Sequence, residues 1–331
     1  MPPERILVRL PNWLGDVLLA RPLLHGLRRL RPAADVRAVA PAALLELIAA
    51  ERVITRGHPW PASPIGRRAL VRELRAWRPD AALVLPPSFS SARFAWRTGA
   101  AVRIGYRQEW RGALLTQALG RPPRGDLHLS REYLALGESL GVREGPLPNL
   151  APPPQAVDRR RDLLARWGLT ARPSALLAPG ASYGPAKRWG LDRFIALGRR
   201  LTGQGQHVLV CGAASERALC EQTAAGIGPT ARSLAGETDL ELQAALCAAA
   251  TVVVSNDSGL AHLAAATGAP TIVIFGSTSS AWTAPLGPRV RIVQHPPACA
   301  PCFRRTCRIG YRCLAAVEVI EVARACQEIA A

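Results

Sequence analysis

Residues 250–270 carry side chains that suit the binding of a charged ligand at the end of a buried strand. Residues 251–255 form a run that is β-branched except for Ser255, which is typical of a strand buried in a parallel sheet. A polar loop at 256–259 follows, and the alanine-rich residues 260–267 predict a helix. A second apolar run at 271–275 completes a strand-loop-helix-strand unit, so the loop should lie at the carboxyl edge of the sheet, where open α/β sheets bind ligands.

The start of this predicted helix suits an anion. The backbone amides of Ser258, Gly259 and Leu260 would open the helix, and free amides together with the helix dipole attract an anion such as a diphosphate. A carboxylate at Asp257 would repel phosphate, so we assign Asp257 to sugar hydroxyls. The alternative is that Asp257 or Ser258 only caps the helix. His262, further along this helix, is also a candidate for nucleotide-sugar binding.

Two further residues suit a nucleotide ligand. Lys187 is the only lysine among 42 basic residues, and its compact charge fits a phosphate in a tight site better than a guanidinium does. An exposed loop lysine is the alternative. Glu216 follows the predicted strand 207–211, where an acid often binds ribose hydroxyls in doubly wound folds, although it would equally interact with a helix dipole.

Asp16 is the candidate general base. Residues 5–10 predict a strand, and one apolar helix is predicted after the turn at 11–16, so Asp16 lies where that helix begins. The turn lacks G-x-G-x-x-G, which excludes a dinucleotide fingerprint. An N-cap role is the alternative for Asp16. Arg93 and Arg97, in a predicted helix, are candidates to hold an acidic acceptor, although isolated arginines are usually solvated.

Composition limits the class of protein. A chain of 331 residues with 49% hydrophobic content is enough for two domains. The net charge of +18 favours an anionic partner such as a nucleic acid, an anionic membrane surface or an acidic glycolipid. No apolar run of 18 residues is present and the start leads directly into a strand, so we expect a cytoplasmic protein.

Apolar runs alternate with helical patterns along the whole chain, which predicts an α/β fold with doubly wound sheets. Residues 145–155 hold five prolines and are the clearest linker, so the first domain should end there. The tail at 315–331 has the pattern of one amphipathic helix.

Four late cysteines form the cluster Cys299, Cys302, Cys307 and Cys313, with the spacing C-x2-C-x4-C-x5-C. This spacing approaches a zinc knuckle, and interleaved arginines and aromatics are compatible with nucleic-acid binding. Reduced structural thiols, and disulfides or other thiol chemistry, are the alternatives to a structural zinc site. No D-x-D sequence occurs, so we expect no catalytic metal on a diphosphate.

Four segments together resemble the ADP-heptose:lipopolysaccharide heptosyltransferases of glycosyltransferase family 9, type II: RLPNWLGDVLLARP, PGASYGPAKRW, SNDSGLAHLAAATGAPTIVIFG and CAPCFRRTCRIGYRCL. The resemblance implies a GT-B fold of two Rossmann-like domains that face a central cleft. It implies an acceptor-binding domain at 1–150 and a nucleotide-sugar-binding domain at 151–314. The helix at 315–331 would pack back towards the first domain.

The resemblance also implies roles for individual residues. Asp16 matches the family's catalytic aspartate, and Lys187 matches its phosphate-binding lysine. The implied nucleotide-sugar site contains Ser182, Tyr183, Lys187, Asp257, Ser258, Gly259 and Leu260. Tyr183 is bulkier than the residue usual at its position. Acceptor-binding candidates are Asn12, Trp13, Arg93 and Arg97.

The implied reaction is the inverting transfer of a heptose from ADP-heptose to the acidic inner core of lipopolysaccharide, at the cytoplasmic surface of the inner membrane. One alternative is a GT-B transferase that uses another nucleotide sugar. A nucleic-acid-binding protein built on the cysteine cluster is the alternative from a different class. It leaves Lys187 and the strand-loop-helix sites unexplained, so we expect no nucleic-acid partner.

Overall fold

The computed structural model describes residues 3–169 and 174–330, and residue 331 of the predicted tail helix lies outside them. The chain divides into two compact units, Met1–Pro148 and Asn149–Ala331. This division falls within the proline-rich stretch that predicted a linker, two residues before the predicted end of the first domain.

The first unit alternates strands and helices around one parallel sheet. Its strands are β1 (Arg5–Arg9), β2 (Asp35–Ala40), β3 (Arg56–Pro59), β4 (Ala81–Val84), β5 (Val102–Tyr106) and β6 (Gln117–Leu119). Its α-helices are α1 (Leu14–Leu19), α2 (Arg21–Leu30), α3 (Ala42–Ala49), α4 (Pro64–Trp77), α5 (Phe89–Arg97) and α6 (Leu129–Glu138). The strand order is β3-β2-β1-β4-β5-β6, with every pairing parallel.

The second unit repeats this plan. Its strands are β7 (Ser174–Ala178), β8 (His207–Val210), β9 (Ala231–Ser233), β10 (Val252–Asn256), β11 (Thr271–Ile274) and β12 (Val290–Val293). Its α-helices are α7 (Pro154–Arg166), α8 (Leu191–Gly203), α9 (Arg217–Ile227), α10 (Leu240–Ala248), α11 (Gly259–Ala266), α12 (Ser280–Thr283), α13 (Arg312–Ala315) and α14 (Val319–Ala330). The parallel order β12-β11-β10-β7-β8-β9 is the first order read from the other side.

In each sheet the strand order changes direction next to the first strand of the unit, as it does in doubly wound folds. In the first unit the reversal lies between β1 and β4, and in the second unit between β7 and β10. β4 and β10 are buried along their whole length because helices cover both faces of each sheet. The loops that follow β1 and β10, which contain Asp16 and Asp257, thus lie at the switch points where such sheets bind ligands.

The apolar segment after β1 forms two helices, where the sequence pattern predicted one. α1 ends at Leu19, Ala20 joins the helices, and α2 begins at Arg21. Pro22 accounts for the break because it has no N–H to donate to the carbonyl of Leu18 and its ring crowds that carbonyl. The helix that contains Asp16 is therefore only six residues long.

The C-terminal tail also differs from the prediction of one helix over 315–331, since α13 ends at Ala315 and α14 begins at Val319. Two side chains donate hydrogen bonds to backbone carbonyls at the break. The Trp189 indole N–H donates to the Val317 carbonyl at 2.9 Å, and the Arg193 guanidinium of α8 donates to the Ala315 carbonyl at 3.1 Å. The buried face of α14 joins the core of the second unit. Packing of this tail towards the first domain stays a prediction.

A buried ion pair stabilises the junction between α1 and α2. The guanidinium of Arg21, at the start of α2, contacts both carboxylate oxygens of Glu51 and donates to the Pro148 carbonyl at 2.7 Å. His25 lies 3.0 Å from the same carboxylate. Burial alone would raise the pKa of Glu51, but the hydrogen bonds with His25 and Arg21 outweigh it, so the net pKa is lowered.

Glu51→Gln is expected to destabilise the first unit by about 3–5 kcal/mol, because Arg21 would remain buried without its counterion. The lowered pKa of Glu51 means that its carboxylate stabilises the fold above the unfolded pKa, and that this stabilisation is lost as the pH falls through the folded pKa. The wild-type advantage over Glu51→Gln in urea unfolding should therefore shrink in acid.

The matched control is Glu144→Gln, since Glu144 pairs with Arg131 where both side chains are half exposed. Its loss should cost less than about 1 kcal/mol. Equal destabilisation by the two substitutions, or no dependence of the Glu51 effect on pH, would contradict a stabilising role for the buried pair.

Candidate active site

The N-terminus of α11 presents backbone amides that no side chain caps. Ser258 is the N-cap residue, but its hydroxyl lies 2.9 Å from the Ser255 hydroxyl and makes no capping hydrogen bond. The alternative in which Asp257 or Ser258 only caps the helix is therefore wrong. Gly259 and Leu260 supply the first helical amides, at the end of the buried strand β10. This arrangement is suited to an anion.

Lys187 and Asp257 form an ion pair beside these amides. The Lys187 Nζ lies 2.5 Å from the Asp257 Oδ2, and the side chains are 14% and 3% exposed. The Thr278 hydroxyl donates to the same carboxylate oxygen at 2.6 Å. Lys187 is therefore not an exposed loop lysine. Sequence analysis missed Thr278, which lies in a polar segment after β11 without any distinctive spacing.

Lys187 and Thr278 both contact the same oxygen of Asp257, Oδ2. An anionic ligand at the start of α11 would compete with Asp257 for Lys187, because both would pair with the same ammonium group. Thr278 would still hold the carboxylate if Lys187 turned to the ligand. Asp257 would then keep acceptor oxygens for the hydroxyl groups of a sugar.

Asn256 ties three loops of this region together and is fully buried. Its side-chain oxygen accepts a hydrogen bond from the backbone N–H of Trp189 at 3.0 Å. Its amide nitrogen donates to the carbonyls of Pro179 at 2.8 Å and Gly180 at 3.2 Å. Asn256 thus fixes the end of β7 and the segment after Lys187 against β10.

Asn256→Ala is expected to destabilise the second unit by about 2–4 kcal/mol, since it leaves a buried N–H and two carbonyls without this partner. The thermal unfolding midpoint measures the loss, and titration with ADP should show weaker binding because the loop of Lys187 is released. Thr267→Val is the matched control, as the Thr267 hydroxyl donates to the Ala264 carbonyl within its own helix turn. If both variants melted alike, Asn256 would not be the tie that its contacts indicate.

Tyr183 links the loop of Lys187 to the cysteine-rich segment. Its hydroxyl donates to the Phe303 carbonyl at 2.5 Å, and its ring lies 5.0 Å from the Lys187 Nζ. Arg305 contacts the same ring at 5.3 Å, and its carbonyl accepts from the Ala186 N–H at 3.0 Å. The large side chain of Tyr183 therefore supports the position of Lys187.

The cysteine segment forms a wall of this site. The backbone amides of Cys302 and Phe303 both donate to the Ser277 carbonyl, one residue before Thr278. Cys299 and Cys302 are exposed, whereas Cys307 and Cys313 are half-buried. The amides of Ile309 and Tyr311 donate to the Cys307 sulfur and lower the pKa of its thiol.

Within residues 3–169 and 174–330, no three His, Cys, Asp or Glu side chains are grouped so that they could hold a metal ion. The four cysteines are therefore not assembled as one ligand set, and structural zinc stays a prediction without support from the geometry. The contacts made by this segment are with the loops of Lys187 and Thr278.

Glu216 points towards the end of β7. Its Oε2 accepts from the Ala213 N–H at 3.0 Å, which holds the turn before α9. Among the described side chains, the Glu216 Oε1 is a buried oxygen without a hydrogen-bond partner. A Cβ placed on Gly180 would lie 2.2 Å from this oxygen, so a larger residue at position 180 would displace the Glu216 carboxylate. Glu216 thus stabilises the turn with one oxygen, and binding of a ligand hydroxyl by the other stays a prediction.

The other candidates for nucleotide-sugar binding differ in exposure. Ser182 is exposed in the loop after β7, whereas His262 is buried in α11, one turn from Ser258. Their roles stay predictions.

Asp16 lies in the first turn of α1 and is half-buried. Trp13 is the N-cap residue, so the alternative in which Asp16 caps the helix is wrong. The helix dipole favours a carboxylate in this position. Tyr133 of α6 lies close enough for an electrostatic effect: burial raises the pKa of its phenol, and the charge of Asp16 raises it further. Sequence analysis missed Tyr133.

Arg9 contacts the loop before Asp16. This buried side chain donates to the Asn12 Oδ1 at 2.7 Å and stacks over Trp60 at 4.5 Å. Burial lowers the pKa of Arg9 to about 10, so it remains a cation at neutral pH. Asn12 is thereby fixed, while Trp13 extends outward and is 63% exposed.

Arg93 and Arg97 are both exposed on α5, one turn apart, with Arg97 in the last turn. The geometry places Arg93 nearer than Arg97 to the carboxyl edge of the sheet, because α5 begins at that edge and runs away from it. Acceptor binding by either arginine stays a prediction.

Comparison with known proteins shows the family of this chain. The model of glycosyltransferase family 9 (heptosyltransferase) matches residues 67–312. The chain is 33% identical over 305 residues to lipopolysaccharide heptosyltransferase 2 of Salmonella typhimurium and 32% identical to that of Escherichia coli K12, covering 88% of each chain. The structure of E. coli ADP-heptose lps heptosyltransferase II matches with a TM-score of 0.84 and 28% identity, covering 98% of both chains. The predicted α/β fold of GT-B type is confirmed, and the chain belongs to glycosyltransferase family 9, the heptosyltransferases.

Proposed function

We propose that this protein transfers a heptose from ADP-heptose to the inner core of lipopolysaccharide, with Asp16 as the general base. The observation that carries the proposal is the Lys187–Asp257 pair at the uncapped N-terminus of α11. A cation and helix amides suit a diphosphate, and a carboxylate held by Thr278 suits sugar hydroxyls. The names of the relatives supply the identity of the sugar and of the acceptor class.

The donor's parts divide among four groups of the second unit. The diphosphate pairs with Lys187 and the amides of α11, and the heptose hydroxyls donate to Asp257. The ribose hydroxyls donate to the Glu216 Oε1, the buried oxygen that lacks a partner among the described residues. The ring of Tyr183 packs against the ammonium group of Lys187.

Transfer needs a base for the acceptor and a stabilised leaving group. The acceptor oxygen attacks the anomeric carbon of the heptose, its proton passes to the Asp16 carboxylate, and the bond to the diphosphate oxygen breaks with inversion at that carbon. The electron pair of the broken bond remains on the diphosphate. Lys187 and the α11 amides stabilise this growing negative charge.

The acceptor is the acidic inner core, and its contacts are assigned to Asn12, Trp13, Arg93 and Arg97 of the first unit. Trp13 is exposed beside Asp16, and Arg93 carries a positive charge on the exposed face of α5. No helix among the described residues is long and apolar enough to cross a bilayer. We propose that the enzyme works at the cytoplasmic surface of the inner membrane, where a lipid acceptor is accessible.

The discriminating experiment is a thermal-shift panel of ADP-heptose, ADP, and UDP and GDP sugars, followed by a transfer assay with the responding donor. Binding to the native state raises the melting temperature in proportion to the logarithm of ligand concentration over Kd. ADP-heptose and ADP should raise it, and the UDP and GDP sugars should not. A response to a UDP or GDP sugar alone would instead support a GT-B transferase with another donor.

Activity is expected to be unchanged in EDTA. The proposed neutralisation of the diphosphate uses Lys187 and the α11 amides, and the sequence contains no D-x-D that would hold a divalent metal on it. Initial rates with and without EDTA, and after addition of Mg²⁺, measure this. A loss of activity that Mg²⁺ restores would show that the diphosphate needs a metal. A lower melting temperature in EDTA at unchanged initial rate would indicate a structural metal at the cysteines.

A further inference from the structure

Large apolar side chains are exposed on one edge of the first unit. Seven such side chains are exposed among the described residues of this unit, and five belong to the segments that follow its strands. These five are Trp13 (63% exposed), Ile65 (78%), Phe89 (45%), Trp110 (97%) and Leu127 (36%). We call them the apolar rim. The two others, Leu30 and Trp96, lie in the last turns of α2 and α5, at the opposite ends of those helices.

The topology places the rim residues together. They follow β1, β3, β4, β5 and β6, and the carboxyl ends of parallel strands meet at one edge of the sheet. Two contacts link segments at this edge: the Phe89 N–H donates to the Glu109 carboxylate at 3.2 Å, and Arg9 of β1 stacks on Trp60, which follows β3. The rim thus runs along one edge of the sheet, with the loop after β2 separating Ile65 from the four rim residues that follow β1, β4, β5 and β6.

The same loops are strongly basic. Segments 10–13, 60–68, 85–93, 107–112 and 120–128 contain seven arginines and two acidic residues, although Arg111 is buried and Arg121 forms an ion pair with Glu132. Arg68, Arg93 and Arg107 are exposed among them. An exposed apolar edge with a net positive charge complements a bilayer, which has an apolar interior and, where anionic lipids are present, a negatively charged surface.

The turn that carries Trp110 is built to expose it. Glu109 and Trp110 have φ values of 48° and 61°, an unusual conformation for two successive non-glycine residues. Arg111, which follows, is fully buried and donates to the carbonyls of Tyr106 at 2.7 Å and Ser88 at 3.2 Å. Arg111 thus anchors one side of the turn, and the neighbouring Trp110 side chain is exposed to solvent.

We propose that the apolar rim is a membrane-docking surface, in which Trp110 and Ile65 enter the headgroup region of a bilayer that contains anionic lipids. Tryptophan prefers that depth, and arginines beside it attract the anionic headgroups. Neither part alone gives stable binding, but apolar insertion combined with a basic patch does. The inference deepens the proposed function, because it rests on an acceptor anchored in a membrane.

Sedimentation of the full chain with vesicles tests the surface without using activity. Wild type should bind vesicles of phosphatidylcholine with 30% phosphatidylglycerol and bind phosphatidylcholine vesicles much more weakly. Trp110→Ser with Ile65→Ser should weaken partitioning to anionic vesicles by roughly 10-fold or more, since two apolar side chains no longer insert. Arg68→Glu with Arg107→Glu should weaken it by a similar factor, and added salt should reduce the difference.

Trp96→Ser is the matched control, because Trp96 is 52% exposed at the far end of α5 and should not affect binding. Equal partitioning of Trp96→Ser and the double serine variant would overturn the docking surface, as would absence of vesicle binding by wild type. A second measurement uses an acceptor from which the acyl chains have been removed. The double serine variant should transfer to it at the wild-type rate, and a loss there would make Trp110 and Ile65 sugar contacts and overturn the proposal.

The two proposals fail separately. Vesicle binding that depends on Trp110, without any heptose transfer, would refute the proposed reaction and leave the docking surface. Transfer to the deacylated acceptor without vesicle binding would refute the docking surface and leave the proposed reaction.

Discussion

Asp16→Asn is expected to leave ADP binding unchanged and to lower turnover by ~10²- to 10⁴-fold, the usual contribution of a general base. The amide keeps the size and position of the side chain in the first turn of α1 but cannot accept the proton of the acceptor hydroxyl. Titration calorimetry with ADP measures binding, which involves the second unit. Single-turnover rates with saturating donor and acceptor measure the chemical step.

Two variants sharpen this experiment. Glu46→Gln removes an exposed acid from α3 in the same unit and should leave turnover unchanged. Tyr133→Phe removes only the phenol oxygen whose pKa is raised by burial and by Asp16, and it tests whether Tyr133 positions the carboxylate. Wild-type turnover in Asp16→Asn would remove Asp16 from the mechanism.

Lys187→Ala is expected to weaken ADP binding by roughly 10- to 150-fold, which corresponds to the loss of a charge-assisted contact of about 1.5–3 kcal/mol. Lys187→Arg should restore little of it, because the planar guanidinium has a different reach in a site where Lys187 is only 14% exposed. Turnover should fall as well, since charge on the departing diphosphate grows as the glycosidic bond breaks. Calorimetry with ADP and single-turnover rates measure the two effects.

The ion pair adds a control that separates the two partners. Asp257→Asn removes the internal competitor for Lys187, so ADP should bind at least as tightly as it does to wild type. The same variant should bind ADP-heptose no better than ADP, because the proposed acceptor of the heptose hydroxyls has lost its charge. Equal ADP affinity in wild type, Lys187→Ala and Lys187→Arg would contradict the assignment of the diphosphate to Lys187.

The sequence predicted those features that depend on short segments. Strands such as β10 and loops such as 256–259 were found because burial on both faces of a parallel sheet demands continuous apolar runs, and turns demand particular residues. Lys187 and Asp257 were each identified from residue type and local context. The helix breaks at Ala20 and before Val319 were missed, because helical periodicity continued through them.

Contacts between distant segments were set by the tertiary structure. Lys187 and Asp257 are 70 positions apart, and their pairing depends on strand order, which brings the loops after β7 and β10 together at the switch point. The role of the cysteine segment as a wall beside Tyr183 depends on the same packing, as does the hydrogen bond from Thr278. Residue type and spacing report what a local stretch of chain can do chemically, but the partner of a buried charge is chosen by the packing of elements that are remote in the sequence.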